Sequence, residues 1–104
     1  MNDVARKLAL SDLLRGRAIQ QAIQMLDLPR GSRGLDAGCG IGSHTLMLAE
    51  AVEEGGHVIG LDRSRELLAD AELRSGGSPR RDRVSFHQGD MHALPFETDA
   101  LDWI

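Results

Sequence analysis

From Leu35 the chain reads LDAGCGIGS, which sets Gly38, Gly40 and Gly42 at alternate positions. Residues 34–37 ahead of them run as a short strand. The mostly apolar set Leu46, Met47, Leu48, Ala49, Ala51 and Val52 behind them reads as a helix that Gly55 and Gly56 stop. Glycine is needed where backbone takes positive φ or approaches a ligand with no Cβ in the way. In α/β folds the strand-to-helix turn at a strand's carboxyl end is where ligands bind. The loop is therefore read as a ligand cradle, against the plainer reading that a glycine-rich turn only packs a helix closely.

The rest of the chain alternates in the same way. With Ser11 as N-cap, Leu14, Ala18, Ile19, Ala22, Ile23 and Leu26 fall on one face of a helix that ends near Leu28 and Pro29. Residues 30–34 form a loop. HVIGL at 57–61 is a strand closed by Asp62, and Ser64 caps a helix to about Arg74 whose inner face is Leu67, Leu68, Ala71 and Leu73. The stretch 75–79 ends it. VSFH at 84–87 is a third strand, 88–98 a loop, and Leu101 opens a fourth strand. Strands alternating with helices imply a parallel sheet with right-handed crossovers, the doubly wound α/β class. The 104 residues make one domain or part of one.

What the cradle holds is narrowed by three absences and one acid. A dinucleotide fingerprint needs glycine where Ser43 stands, and a P-loop needs a lysine that the loop lacks. Asp36, two residues before the first glycine, would repel a pyrophosphate but suits a ligand with an amine or a positive charge. A net charge of -4 and three aromatics, Phe86, Phe96 and Trp103, give no footprint for nucleic acid or an anionic membrane surface. Arg80, Arg81 and Arg83, broken by Asp82, read as a solvated loop. His44, His57, His87 and His92 have neither metal spacing nor a nucleophile's arrangement. Cys39 forms no intramolecular disulfide and reads as a small packing residue in a reducing compartment. With no apolar run of about 18 residues for a membrane span, a cytoplasmic location is expected.

LDAGCGIGSHTLMLAE resembles motif I of the class I, Rossmann-like, S-adenosylmethionine-dependent methyltransferases. HVIGLDRS resembles their motif II, and GDMHALPFETDALDWI the stretch from the third strand's end into motif IV. The similarity is strongest to the small-molecule, ubiquinone-biosynthesis-like branch. It implies a doubly wound sheet cut off after the start of the fourth strand, with strands ordered 3-2-1-4. Residues 1–30 would be an N-terminal helical segment and 31–104 the cofactor-binding half.

Carried over by position, the resemblance gives Asp62 to the ribose hydroxyls and Asp36 to the methionine amino group, directly or through water. Gly38, Cys39, Gly40 and Gly42 would run along the methionine part, and Gly89, Asp90 and Met91 at the adenine, Asp90 through its amino group. Arg63 stands where the family usually has an aliphatic residue, so a guanidinium either stacks on adenine or turns to solvent. The implied partner is a small-molecule methyl acceptor, with no metal, no catalytic residue assigned and no turnover by the 104 residues alone. Self-association through an exposed fourth-strand edge is also expected. Two alternatives stay open: a non-catalytic cofactor-binding fragment and an NAD(P)-binding oxidoreductase module.

Overall fold

The computed structural model describes residues 2–95, 97 and 100–104, so Phe96 and Thr98 of the expected 88–98 loop lie outside the described residues. Its elements are α1 (Asp3–Met25), β1 (Arg33–Ala37), α2 (Ser43–Val52), β2 (His57–Asp62), α3 (Arg65–Ser75), a 3-10 turn (Arg81–Arg83) and β3 (Val84–Gln88). The strands are parallel and ordered β1-β2-β3, with Leu35 opposite Ile59 and Val58 opposite Val84.

β2 is the central strand, and its unbroken apolar run follows from that place, since both of its faces are covered. Val58 looks toward Ala49 and Val52 of α2. On the same face Gly60 lies under Phe86, whose ring also meets Gly42 beside Ala71 of α3. α2 and α3 thus cover one face. On the other, Ile59 and Leu61 join Leu35 beneath Leu94 and Leu101, so helices flank only one side of the sheet among the described residues. Each fully buried Leu or Val here contributes about 1.5–3 kcal/mol over its exposed state.

α1 departs from the register read in the sequence. It starts at Asp3, with Asn2 Oδ1 accepting from Ala5 N at 2.7 Å, and Ser11 lies inside it rather than capping it. The face docked on α2 carries the buried Ala5 and Ile23 with half-buried Leu8, Ala9, Asp12, Gly16 and Ile19. Small residues let the two helices approach, while Leu14 and Leu26, expected inside, point outward. The periodicity was ambiguous because Leu10, Leu13 and Leu14 form a second apolar set on the solvent side.

α3 keeps its expected cap, Ser64 Oγ accepting from Leu67 N at 3.2 Å, but Leu73 is 80% exposed and not part of its inner face. The arginine loop is more than solvated. Arg80 pairs with Glu50 at 3.1 Å and Arg83 donates to the Ala49 carbonyl at 3.4 Å, so both fasten the turn before β3 to α2.

Residues 101–104 lie along the outer edge of β1, on the side away from β2. Asp102 N donates to Arg33 O at 2.7 Å, Leu35 N to Trp103 O at 3.1 Å, and Gly34 and Trp103 form a parallel bridge. The 3-2-1-4 order holds, with the fourth position begun by a bridge rather than a strand. Trp103 Nε1 donates to Ser32 Oγ at 3.0 Å and its ring lies flat over Gly34, where any Cβ would overlap the indole. Gly34→Ala should therefore lift Trp103 off the sheet. A red-shifted tryptophan emission and a loss of about 1–3 kcal/mol in denaturant unfolding are expected; unchanged emission would contradict this packing.

Candidate functional site

The carbonyl of Leu61 accepts from both Gly38 N and Cys39 N, at 2.7 and 2.9 Å, which pins the first turn of the glycine loop to the end of β2. One residue on, Asp62 Oδ2 accepts from Gly40 N and Oδ1 from Ser64 N, each at 2.9 Å. One carboxylate thereby joins the loop after β1 to the start of α3. Gly38, Gly40 and Gly42 all take positive φ, at 74, 57 and 82°, a region that a side chain would make costly.

Above this join two hollows open at the carboxyl ends of the strands. One, of about 140 Å³, is lined by Gly38, Leu61, Asp62, Arg63, Gly89 and Met91. The other, of about 220 Å³, runs from Gly38 and Asp62 along the loop past Cys39 and Gly40 to Ser43 and His44, and is closed by Leu8 and Asp12 of α1. Gly38 and Asp62 line both, so the hollows form one cleft crossing from β3 over β2 to β1 and α1. A Cβ on Gly38 would meet no atom within 4 Å, so the bare backbone faces open cleft. A cleft of this length, with the carboxylates of Asp62 and Asp12 along it, fits an extended ligand that carries a positive charge.

The ten residues singled out in the sequence divide. Gly38, Cys39, Gly40, Asp62, Arg63, Gly89 and Met91 line the cleft. Gly42 stands at the N-cap of α2 under Phe86 and serves the turn. Asp90 accepts from His92 N through Oδ1 at 2.9 Å, shaping the turn after β3. Asp36 accepts from Thr45 Oγ1 at 2.6 Å and faces α2, beside a third hollow walled by Leu48 and Trp103. Neither acid is among the described residues lining the cleft. Leu8, Asp12, Ser43 and His44 line it and were not singled out. Asp12 carried the available signal, a carboxylate in phase with Ala5, Leu8, Gly16 and Ile23 on the docked face of α1. Among the described residues no three potential ligands gather to hold a metal, and no helix is long and apolar enough to cross a membrane.

Burial pushes the Asp36 carboxyl above its usual range, more than the Thr45 hydrogen bond lowers it. Burial, with the charges of Asp36 and Asp62, pushes the Cys39 thiol up to about 12. An acid whose folded pKa is raised favours folding most in its protonated form, below the unfolded value of 3.8, and loses that advantage as pH rises through the folded pKa. Asp36→Asn keeps an acceptor for Thr45 and removes the charge. The variant should thus match or exceed the parent in Tm at pH 7, the difference shrinking toward pH 3; a parent that is more stable at neutral pH would refute the burial argument. Cys39 should react with a maleimide at pH 8 at least about tenfold more slowly than an unfolded thiol, as measured by intact mass.

Residues 28–104 match the family model described as a methyltransferase domain. A 2-phytyl-1,4-naphtoquinone methyltransferase of Thermosynechococcus vestitus is 42% identical over 85 residues, covering 82% of this chain and 36% of its own. A demethylmenaquinone methyltransferase of Shouchella clausii is 35% identical over 85 residues, with the same two coverages, 82% and 36%. The chain therefore spans about a third of the length of these relatives. Among solved structures, a SAM-dependent methyltransferase from Aquifex aeolicus superposes with a TM-score of 0.75 at 22% identity, over 91% of this chain and 51% of that one, a likeness of fold. The match over most of its length, with the cleft at the carboxyl ends of parallel strands, makes the chain a member of the class I, Rossmann-like, S-adenosylmethionine-dependent methyltransferases.

Proposed function

We propose that residues 31–104 hold S-adenosylmethionine in the cleft as the cofactor-binding half of an enzyme that methylates a small molecule. The acceptor class is a quinone or naphthoquinone ring, the class named for both relatives. The observation that carries the reading is Asp62, which stands where the two hollows meet with both oxygens held by backbone N–H groups. Each oxygen keeps a lone pair, enough for two ribose hydroxyls. Arg63, Gly89 and Met91 flank the adenine side. Asp90 orders the turn that presents Met91, and its second oxygen is the acceptor for an adenine amino group. Gly38, Cys39 and Gly40 offer backbone along the methionine part, and Asp36 adds negative charge behind the loop.

When bound, the cofactor supplies an electrophilic methyl on a sulfonium. The chain's task is to fix that group's position and exclude water, since positioning accounts for most of the rate of an in-line transfer. A dinucleotide fits less well, because Ser43 replaces the third glycine and carboxylates line the place of a pyrophosphate. We further propose a cytoplasmic location, in keeping with the free thiol of Cys39. Self-association through the edge at 101–104, where Ile104 is 70% exposed, is proposed for the 104 residues alone, without turnover of any small acceptor.

Calorimetric titration should show binding of S-adenosylmethionine and none of NADH; the reverse would overturn the assignment. Asp62→Ala should weaken S-adenosylmethionine by roughly 10- to 150-fold, about 1.5–3 kcal/mol, because two hydroxyls lose a charged acceptor. It should lower Tm as well, since Gly40 N and Ser64 N lose their partner. Undiminished affinity would remove the ribose role.

A further inference from the structure

The wall of the cleft that α1 supplies has chemistry of its own. Leu8 reaches over the loop, its Cδ1 lying 3.6 Å from where a Cβ on Gly40 would stand, and four residues on Asp12 lies on the same side of the helix. Asp12 is one of two carboxylates among the described residues lining the cleft, and the other, Asp62, already binds two backbone N–H groups. Asp36 is taken by Thr45. Among the described residues the polar contact of Asp12 is His44, whose Nε2 lies 3.6 Å from its Oδ1, too far for a hydrogen bond. Among the described residues that nitrogen has no hydrogen-bond partner, while the His44 side chain as a whole is 43% exposed. Asp12 and His44 therefore sit side by side at the α1 end of the hollow, and the Asp12 carboxylate has no hydrogen bond among the described residues. A part-buried carboxylate left without a hydrogen bond is costly, and the cost is recovered when a ligand N–H group supplies the partner.

We propose that Asp12 clamps the amino-acid end of the cofactor by accepting from its α-ammonium, with His44 bracing the Asp12 carboxylate from the loop side. The proposal rests on the reading of the cleft as an S-adenosylmethionine site. α1 then belongs to the binding machinery, and its docking on α2 determines whether the cleft accepts a zwitterionic head. Asp12 is thereby a specificity-determining residue, discriminating for ligands that keep the amino-acid head and against nucleosides that lack it.

The test compares two ligands that share adenine and ribose. S-adenosylhomocysteine carries the zwitterionic head and 5′-methylthioadenosine does not. By calorimetry on the chain, Asp12→Asn should weaken S-adenosylhomocysteine about tenfold or more, the size of a lost charge-assisted hydrogen bond, and leave 5′-methylthioadenosine unchanged. Asp12→Glu should restore part of the discrimination, and Asp3→Asn at the exposed start of α1 should not affect it. Equal weakening of both ligands would make Asp12 a structural residue and overturn the proposal, as would an unchanged ratio in Asp12→Asn. A parent chain that binds neither ligand would instead refute the cofactor reading, and this proposal with it. Binding of 5′-methylthioadenosine alone would keep the nucleoside site and refute the clamp.

Discussion

Everything the cleft can do depends on how the end of β2 captures the loop after β1. One carbonyl, Leu61 O, receives two successive N–H groups, and one carboxylate, Asp62, receives two more from opposite directions. A loop with three residues at positive φ has many conformations open to it when unfolded, so fixing it is entropically costly. The three of these hydrogen bonds that reach the loop, from Gly38, Cys39 and Gly40, tie it to the central strand, which the two apolar clusters hold in place. The loop is consequently set before any ligand arrives, and binding need not order it.

That arrangement also explains which parts of the molecule were legible in the sequence. The glycine loop, Asp62 and the Ser64 cap were legible because each is specified locally, by a required φ, by a strand end or by a neighbour three residues away. The strand order was legible because the carry-over from a related family includes topology, and the bridge at Trp103 follows it. α1 was misread because its cap, Asn2, lies nine residues before the Ser that resembled one, and because its solvent side is also apolar. Asp36 and Asp90 were placed correctly along the chain, but the partners that turn their side chains, Thr45 and His92 N, follow from three-dimensional geometry alone. The pairing of Asp12 with His44 joins residues 32 apart and has no local signature.

A final consequence follows from the sign of the charge around the loop. Asp12, Asp36 and Asp62 surround a turn with no lysine in it, and the negative potential they create favours a ligand bearing a sulfonium or an ammonium. The same potential acts on Cys39, the buried sulfur in the floor of that cleft. A thiolate there would be the most nucleophilic group beside an alkylating ligand and would compete with any acceptor. Burial and the charges of Asp36 and Asp62 push the thiol up to about 12, so at neutral pH it stays protonated. The carboxylates that suit the cleft to a cation therefore also keep its own sulfur protonated, and a cysteine can occupy the floor as a small apolar residue without reacting with what the cleft holds.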